Sequence, residues 1–295
     1  MKTEPSDDYL STATQAQVLQ SVQALNYPYE SDPSYSIRMA NLQTRLINDC
    51  VAKQGVVPPK VADLPLDIAA VTPAESRLWL LPGDDYGVAV ALADPSVVAQ
   101  LGSEEGLEPE AGAGIPDPDA YDKAVYGSSD DRIEFPLEGG GSASVPVGGC
   151  FGEATKTMYG VTDAADYERA YYAIPNIREV MTALRADDQV RAGISAWSSC
   201  MKDAGHDVGS PDDLYGAMNT WISGVVGGTM LVSTVEDQEH DLASVDRGCR
   251  TSSGLGTALS SRFLQLAESE IRGSEGAVQE YRTMIEHAQS LLATQ

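Results

Sequence analysis

Asp187-Asp188-Gln189-Val190-Arg191-Ala192-Gly193-Ile194-Ser195-Ala196-Trp197-Ser198-Ser199-Cys200-Met201-Lys202-Asp203-Ala204-Gly205 is the stretch that decides the fold. Val190, Ile194, Trp197 and Met201 fall at i, i+4, i+7 and i+11, the spacing of one helical face. Cys200 lies at the edge of that face, and Gly205 supplies the stop. The same plan occurs earlier, in Asn48-Asp49-Cys50-Val51-Ala52-Lys53-Gln54-Gly55. There Met39, Leu42, Leu46 and Cys50 step by three and four, predicting a helix over about 36–54. Pro58-Pro59 prevents its resumption. The other two cysteines each follow a glycine, in Gly148-Gly149-Cys150 and Arg247-Gly248-Cys249.

An even set of cysteines in matched contexts predicts two structural disulfides and an oxidising compartment. Four cysteines allow three connectivities. The reading favours Cys50–Cys150 and Cys200–Cys249, in which a helix-end cysteine clasps a glycine-preceded one later in the chain. No Cys-x-x-Cys pair occurs, so redox catalysis and a four-thiolate zinc site are both disfavoured.

Working outward, helices are predicted over 9–25, 164–184 with an interruption near Pro175, 211–222, 229–250, and 256–293 with a break at Gly273-Ser274-Glu275-Gly276. Val278, Tyr281, Ile285, Ala288 and Leu292 form an apolar seam too short for a stable coiled coil and suited to intramolecular packing. Residues 56–148 are rich in Pro and Gly. They read as a loop-rich insertion with short helices at 73–80, 94–101 and 117–125. One hairpin is predicted there, pairing 132–137 with 143–147 across Gly139-Gly140-Gly141. The fold class is mainly α: a helical, bundle-like single domain over 9–295, with at most a small β-hairpin. Residues 1–8 are read as a disordered tether.

Hydrophobic residues make up 42% of the 295, enough for a substantial core. Only three Phe and three Trp accompany 13 Tyr, so many aromatic contacts carry a hydroxyl that needs a partner. The formal net charge of -25 disfavours nucleic acid and anionic membranes as partners. No run of apolar residues approaches the ~18 needed to span a bilayer. The polar start has no signal-peptide core. A cytosolic protein with four reduced thiols competes with an exported one whose signal or lipid anchor has been removed, and the cysteine contexts and the Ser/Asp/Glu/Pro-rich start favour the second.

In order, the chain shows a helix-end cysteine with a glycine five residues on, then Tyr86-Gly87, then Gly149-Cys150 with Glu153-Ala154. Trp197 with Cys200-Met201 and Gly205 follows, and Asp246 with Cys249 comes last. This order resembles exported proteins and lipoproteins of high-GC Gram-positive (actinobacterial) bacteria, over about residues 36–290. The first block departs from the Cys-Met form, since Val51 follows Cys50. The resemblance implies an extracellular or envelope-anchored protein that accompanies envelope transport or peptidoglycan-associated systems. It carries over no catalytic residue.

The residues that offer chemistry are few. Ser199-Cys200-Met201-Lys202 matches Ser-x-x-Lys, but the Ser-Asp-Asn and Lys-Thr-Gly partners of that motif are missing. Gly148-Gly149 and Gly139-Gly140-Gly141 lack the Gly-Lys-Ser/Thr of a phosphate loop. Asp117, Asp119 and Asp122 have no EF-hand register. Glu236-Asp237-Gln238-Glu239-His240-Asp241 is read as a solvated acidic face and not a metal site, because six consecutive positions point around most of a helix. His206 lies just past a helix end, and His287 is placed on the surface of the last helix. No catalytic residue, cofactor or metal is assigned. The expected function is non-enzymatic binding or scaffolding at the bacterial cell envelope, with a protein or envelope ligand as partner. An envelope hydrolase using acidic residues is the alternative, and a toxin or its immunity partner a third class.

Alkylation of the protein from its native source, without reductant, is expected to label no cysteine. Labelling of all four would contradict both the disulfides and the compartment.

Overall fold

A computed structural model describes residues 10–26, 34–60, 63–64, 71–102, 115–136, 141–175 and 177–294. The expected tether at 1–8, most of the loop after residue 26, and Gly139-Gly140 lie outside these. The described chain is mainly α. Its helices in order are α1 (Thr12–Asn26), α2 (Tyr35–Lys53), α3 (Glu75–Leu80), α4 (Val88–Leu92), α5 (Pro95–Leu101) and α6 (Pro118–Tyr126). A hairpin of β1 (Arg132–Pro136) and β2 (Ser142–Pro146) follows, antiparallel, with Ile133 opposite Val145 and Glu134 opposite Ser144. Then come α7 (Gly149–Tyr159), α8 (Ala164–Ala173), α9 (Ile177–Ala186), α10 (Asp188–Asp203), α11 (Leu214–Val226), α12 (Val232–Ser253), α13 (Leu255–Ile271) and α14 (Glu275–Leu292).

The chain divides into two compact units. Unit 1 comprises residues 1–34, 66–103 and 175–273, and unit 2 comprises residues 35–65, 104–174 and 274–295. Each unit is therefore assembled from segments far apart in sequence, and the proline-rich stretch 56–148 is shared between them.

In unit 1, α10, α12 and α13 pack together, with α1 and α9 against α13. Val190, Trp197 and Met201, three of the four residues on the quoted face, are wholly buried, alongside Leu255, Leu259 and Phe263. The fourth, Ile194, is half-buried against the same core. In unit 2, α2 packs on α7, and α6 on α7. Val51, Ala124, Val125 and Cys150 make a small core there. The seam on α14 buries Tyr281, Ile285 and Ala288 against neighbours that include α7 and α8.

Each unit carries one disulfide. Cys50 is bonded to Cys150 with their Cα atoms 5.6 Å apart, and Cys200 to Cys249 with theirs at 5.5 Å. The bonds close sequence separations of 100 and 49 residues. Restricting the unfolded chain over such loops contributes about 4–5 kcal/mol each in the chain-entropy account.

The two helix-end cysteines share one termination. After α2, Val56 N–H donates to the Val51 carbonyl and Gly55 N–H to that of Ala52. After α10, His206 N–H donates to the Met201 carbonyl and Gly205 N–H to that of Lys202. Both are Schellman endings, which need a left-handed residue, and Gly55 and Gly205 have φ of 80° and 99°. No atom lies within 4 Å of a Cβ built at either position, so the demand for glycine is conformational and not steric. Gly205→Ala is therefore expected to destabilise the protein by about 1–2 kcal/mol in denaturant unfolding. Gly248→Ala, at a helical glycine with equally open surroundings, should not.

Candidate functional site

The buried charged groups of unit 1 lie on one stripe of α12. Val235, Glu239, Leu242, Ala243, Asp246, Cys249 and Arg250 recur at helical spacing and are all buried. Asp246 and Arg250 have no solvent exposure at all. One oxygen of Asp246 accepts from Trp197 Nε1 at 2.8 Å and from Arg250 Nε at 2.7 Å. The other accepts from the Tyr86 hydroxyl at 3.3 Å. Burial, and then the Asp246 carboxylate, push the Tyr86 phenol far above its usual range, which keeps it a donor.

The remaining groups of the stripe bind backbone. Arg250 donates from Nη1 to the Trp79 carbonyl at 2.6 Å and from Nη2 to the Leu78 carbonyl at 2.9 Å. These are carbonyls of the last turn of α3, which have no partner within the helix. Glu239 does the converse for α4. Its Oε1 accepts from the N–H groups of Tyr86 at 2.8 Å and Val88 at 2.9 Å, and its Oε2 from that of Ala89 at 2.8 Å. A carboxylate from a distant helix thus caps α4, where Gly87 turns the chain with φ 83°.

The segment from Val71 to Leu92 is held as a strap across unit 1. Besides the bonds above, Trp79 Nε1 donates to Asp212 at 2.7 Å, and the Tyr215 hydroxyl to the Pro73 carbonyl at 2.8 Å. Arg247 pairs with Asp84, and Arg185 pairs with Glu75 and lies over the Trp79 ring. The sum of these contacts is structural. Every bond that Glu239, Asp246 and Arg250 make in the network goes to the protein's own groups.

The acidic stretch 236–241 requires a correction. Glu236, Asp237, Gln238, His240 and Asp241 are exposed as read, but Glu239 is buried, because position 239 falls on the same stripe as Val235, Leu242 and Asp246. His240 Nδ1 lies 3.1 Å from the Asp84 carbonyl, and His206 Nε2 lies 4.0 Å from Asp241. Asp117 caps α6 by accepting from Ala120 N–H. Ser199 donates to the Ser195 carbonyl within α10, and Lys202 faces Asp207, so the Ser-x-x-Lys match assembles no nucleophile and base. His287 is exposed. Among the described residues no group of three or more His, Cys, Asp or Glu is placed to hold a metal ion. No helix among them is long and apolar enough to cross a membrane.

Unit 2 presents the other notable arrangement, a row of aromatic rings. Tyr159 stacks on Tyr167 with centroids 3.6 Å apart, and Tyr167 lies 6.2 Å from Tyr171. Tyr171 meets Tyr172 edge-on at 5.3 Å, and Tyr172 stacks on Phe135 of β1 at 4.2 Å. Tyr281 of α14 lies beneath, 6.1 Å from both Tyr167 and Tyr171. Tyr171 and Tyr172 are 45% and 40% exposed. One turn before them on α8 sits Glu168, only 8% exposed and with no hydrogen-bond or ion-pair partner among the described residues. Burial alone pushes its carboxyl up to about 7. The sequence reading did not single out this row. Its signal was the run of tyrosines at 167, 171 and 172, the later two lying four and five residues after the first.

Comparison with protein-family models, with curated proteins and with solved structures finds no match.

Two expectations follow from the buried charges. Asp246→Asn strips the countercharge from the buried Arg250 and is expected to cost about 3–5 kcal/mol of stability, read by denaturant unfolding. Glu168 behaves differently. Its folded pKa lies above the ordinary carboxyl value, so the group favours the folded state below about pH 4.5, and that contribution is lost as the pH rises through about 7. Glu168→Gln is therefore expected to match the wild type in thermal stability near pH 4 and to exceed it at pH 8.

Proposed function

We propose that the protein is an exported binding protein of the bacterial cell envelope, carrying its ligand surface on unit 2 and using unit 1 as a rigid body. The observation that carries this reading is where the polar groups are spent. The buried carboxylates Glu239 and Asp246 are satisfied by six donors between them, all from the protein itself. The aromatic row of unit 2 leaves rings open to solvent, as binding surfaces do. Export is supported by the two disulfides, bonds that persist in oxidising compartments. The order of short motifs, which resembles that of actinobacterial exported proteins and lipoproteins, supports an envelope protein or ligand as the partner.

One observation favours the hydrolase alternative. Glu168, raised to about 7, has the titration of a general acid at neutral pH. Glycoside hydrolysis requires a second carboxylate roughly 5–9 Å away. Glu134, on the strand that bears Phe135, is bonded to Ser142 and held below the usual carboxyl range by hydrogen bonds from serine hydroxyls, which keeps it ionised as that partner must be.

Incubation with envelope polysaccharide and peptide material separates the two readings. The expected result is that the wild-type protein retains a component of this material, that Tyr171→Ala/Tyr172→Ala loses it, and that no new reducing ends or amino termini appear. Product release that Glu168→Gln abolishes would establish the hydrolase instead.

A further inference from the structure

Both bridges join a half-buried cysteine at a helix C-terminus to one that is almost wholly enclosed. Cys50 and Cys200 are half-buried, in the last turns of α2 and α10, whereas Cys150 and Cys249 are 0% and 3% exposed. An external thiolate therefore enters at Cys50 or Cys200, and the enclosed partner departs. Thiol–disulfide exchange is faster when the departing thiolate is better stabilised. The surroundings of Cys150 and Cys249 thus decide which bridge opens.

Those surroundings differ. Cys150 is the second residue of α7, at the positive end of the helix dipole, with no acidic side chain in that first turn. Gln54 Nε2 donates to its sulfur at 3.2 Å, and lies farther from Cys50 Sγ, at 3.7 Å. Both features favour charge on Cys150, as at reactive cysteines placed on helix N-termini. Burial among Val51, Ala124 and Val125 opposes that charge, and the two features offset it. Cys249 has the burial without the donors. It lies toward the negative, C-terminal end of α12, three residues after the Asp246 carboxylate. Arg250, next in the chain, is committed to Asp246 and to the carbonyls of Trp79 and Leu78. The Ser252 hydroxyl lies 3.7 Å from Cys200 Sγ, and among the described residues no hydrogen bond reaches the Cys249 sulfur.

We propose that the Cys50–Cys150 bridge is a redox switch in unit 2, opened by an external dithiol that attacks Cys50 and expels Cys150, while Cys200–Cys249 stays closed. One thiolate of the reductant forms a bond to Cys50 Sγ, the Cys50–Cys150 bond breaks, and its electron pair leaves on Cys150. The second thiolate of the reductant then attacks the reductant sulfur held on Cys50 and releases Cys50. The reductant ends as a disulfide, and the two cysteines end as thiols carrying the two protons that the reductant gave up. The end of α2 then meets the start of α7 through the small core around Val51, without its covalent tie.

The test exposes the full-length, doubly bridged protein to dithiothreitol, quenches it with acid at intervals, and maps alkylated peptides to time each bridge. The expected result is that Cys50–Cys150 opens about tenfold faster than Cys200–Cys249, at a rate that low, non-denaturing urea does not change. Gln54→Leu, at an exposed position, should keep the wild-type melting temperature and slow that bridge about threefold. Gln54→Glu should slow it further, and neither variant should alter the other bridge. In protein opened at this bridge alone, amide protection should fall in the last turn of α2 and the first turn of α7 and be kept in unit 1. Equal rates, or prior opening of the unit 1 bridge, would overturn the proposal. So would a rate that climbs with urea, which marks opening through local unfolding. A rate indifferent to both Gln54 variants, or unchanged protection after opening, would overturn it equally.

Discussion

Asp246 sits where no water reaches, and the arrangement of unit 1 depends on its three donors. Trp197 comes from α10, Arg250 from α12 itself, and Tyr86 from the strap. A buried carboxylate is tolerable only when it is paired and hydrogen-bonded, so these partners are obligatory. Arg250 then carries the constraint onward to the carbonyls of α3, and Glu239, two turns earlier, carries it to the amides of α4. A segment with little helical periodicity of its own thereby receives a fixed path. The apolar faces of Trp79, Tyr86 and Val88 are buried along the way and supply the favourable term.

The two units solve a shared problem differently. Each joins the C-terminal turn of one helix to another helix through a disulfide, and each ends the first helix with a glycine in the left-handed region. Three residues before the helix-end cysteine, unit 1 has Trp197 and unit 2 has Ile47. Three before the second cysteine, unit 1 has Asp246, and unit 2 has Val147. The polar pairing of unit 1 thus has only apolar residues at the matching positions of unit 2. There the hydrogen-bonding group nearest the bridge is Gln54 Nε2, 3.2 Å from Cys150 Sγ. Unit 1 is specified by hydrogen bonds between named groups, and the small core of unit 2 by apolar burial and its covalent bridge.

The helices longer than two turns were legible because burial of one face imposes a period on the sequence. The stripe 190–201, the seam on α14 and the interruption at Pro175 all read directly, and the hairpin showed in its alternation around a glycine run. Helix α4 did not. Five residues, Val88-Ala89-Val90-Ala91-Leu92, are too few to show a helical period, and their helical state rests on a cap 150 residues away in sequence. Glu239 was misread for a different reason: its register with Val235 and Leu242 puts it on the buried face, but its acidic neighbours mask that signal. Tyr86, Trp197 and Asp246 were noticed only as separate short motifs, and their meeting in one network is a property of the tertiary fold. In unit 2 the tyrosines of α8 were passed over because an exposed aromatic run has the same local pattern as a packed one.

The claim that α12 acts as the template for the strap is tested most directly by amide hydrogen exchange on Glu239→Gln. The account predicts that protection falls at Tyr86, Val88 and Ala89 and through α4, while α10, α12 and α13 keep theirs. Unchanged protection at those three amides, or an equal loss across all of unit 1, would contradict it.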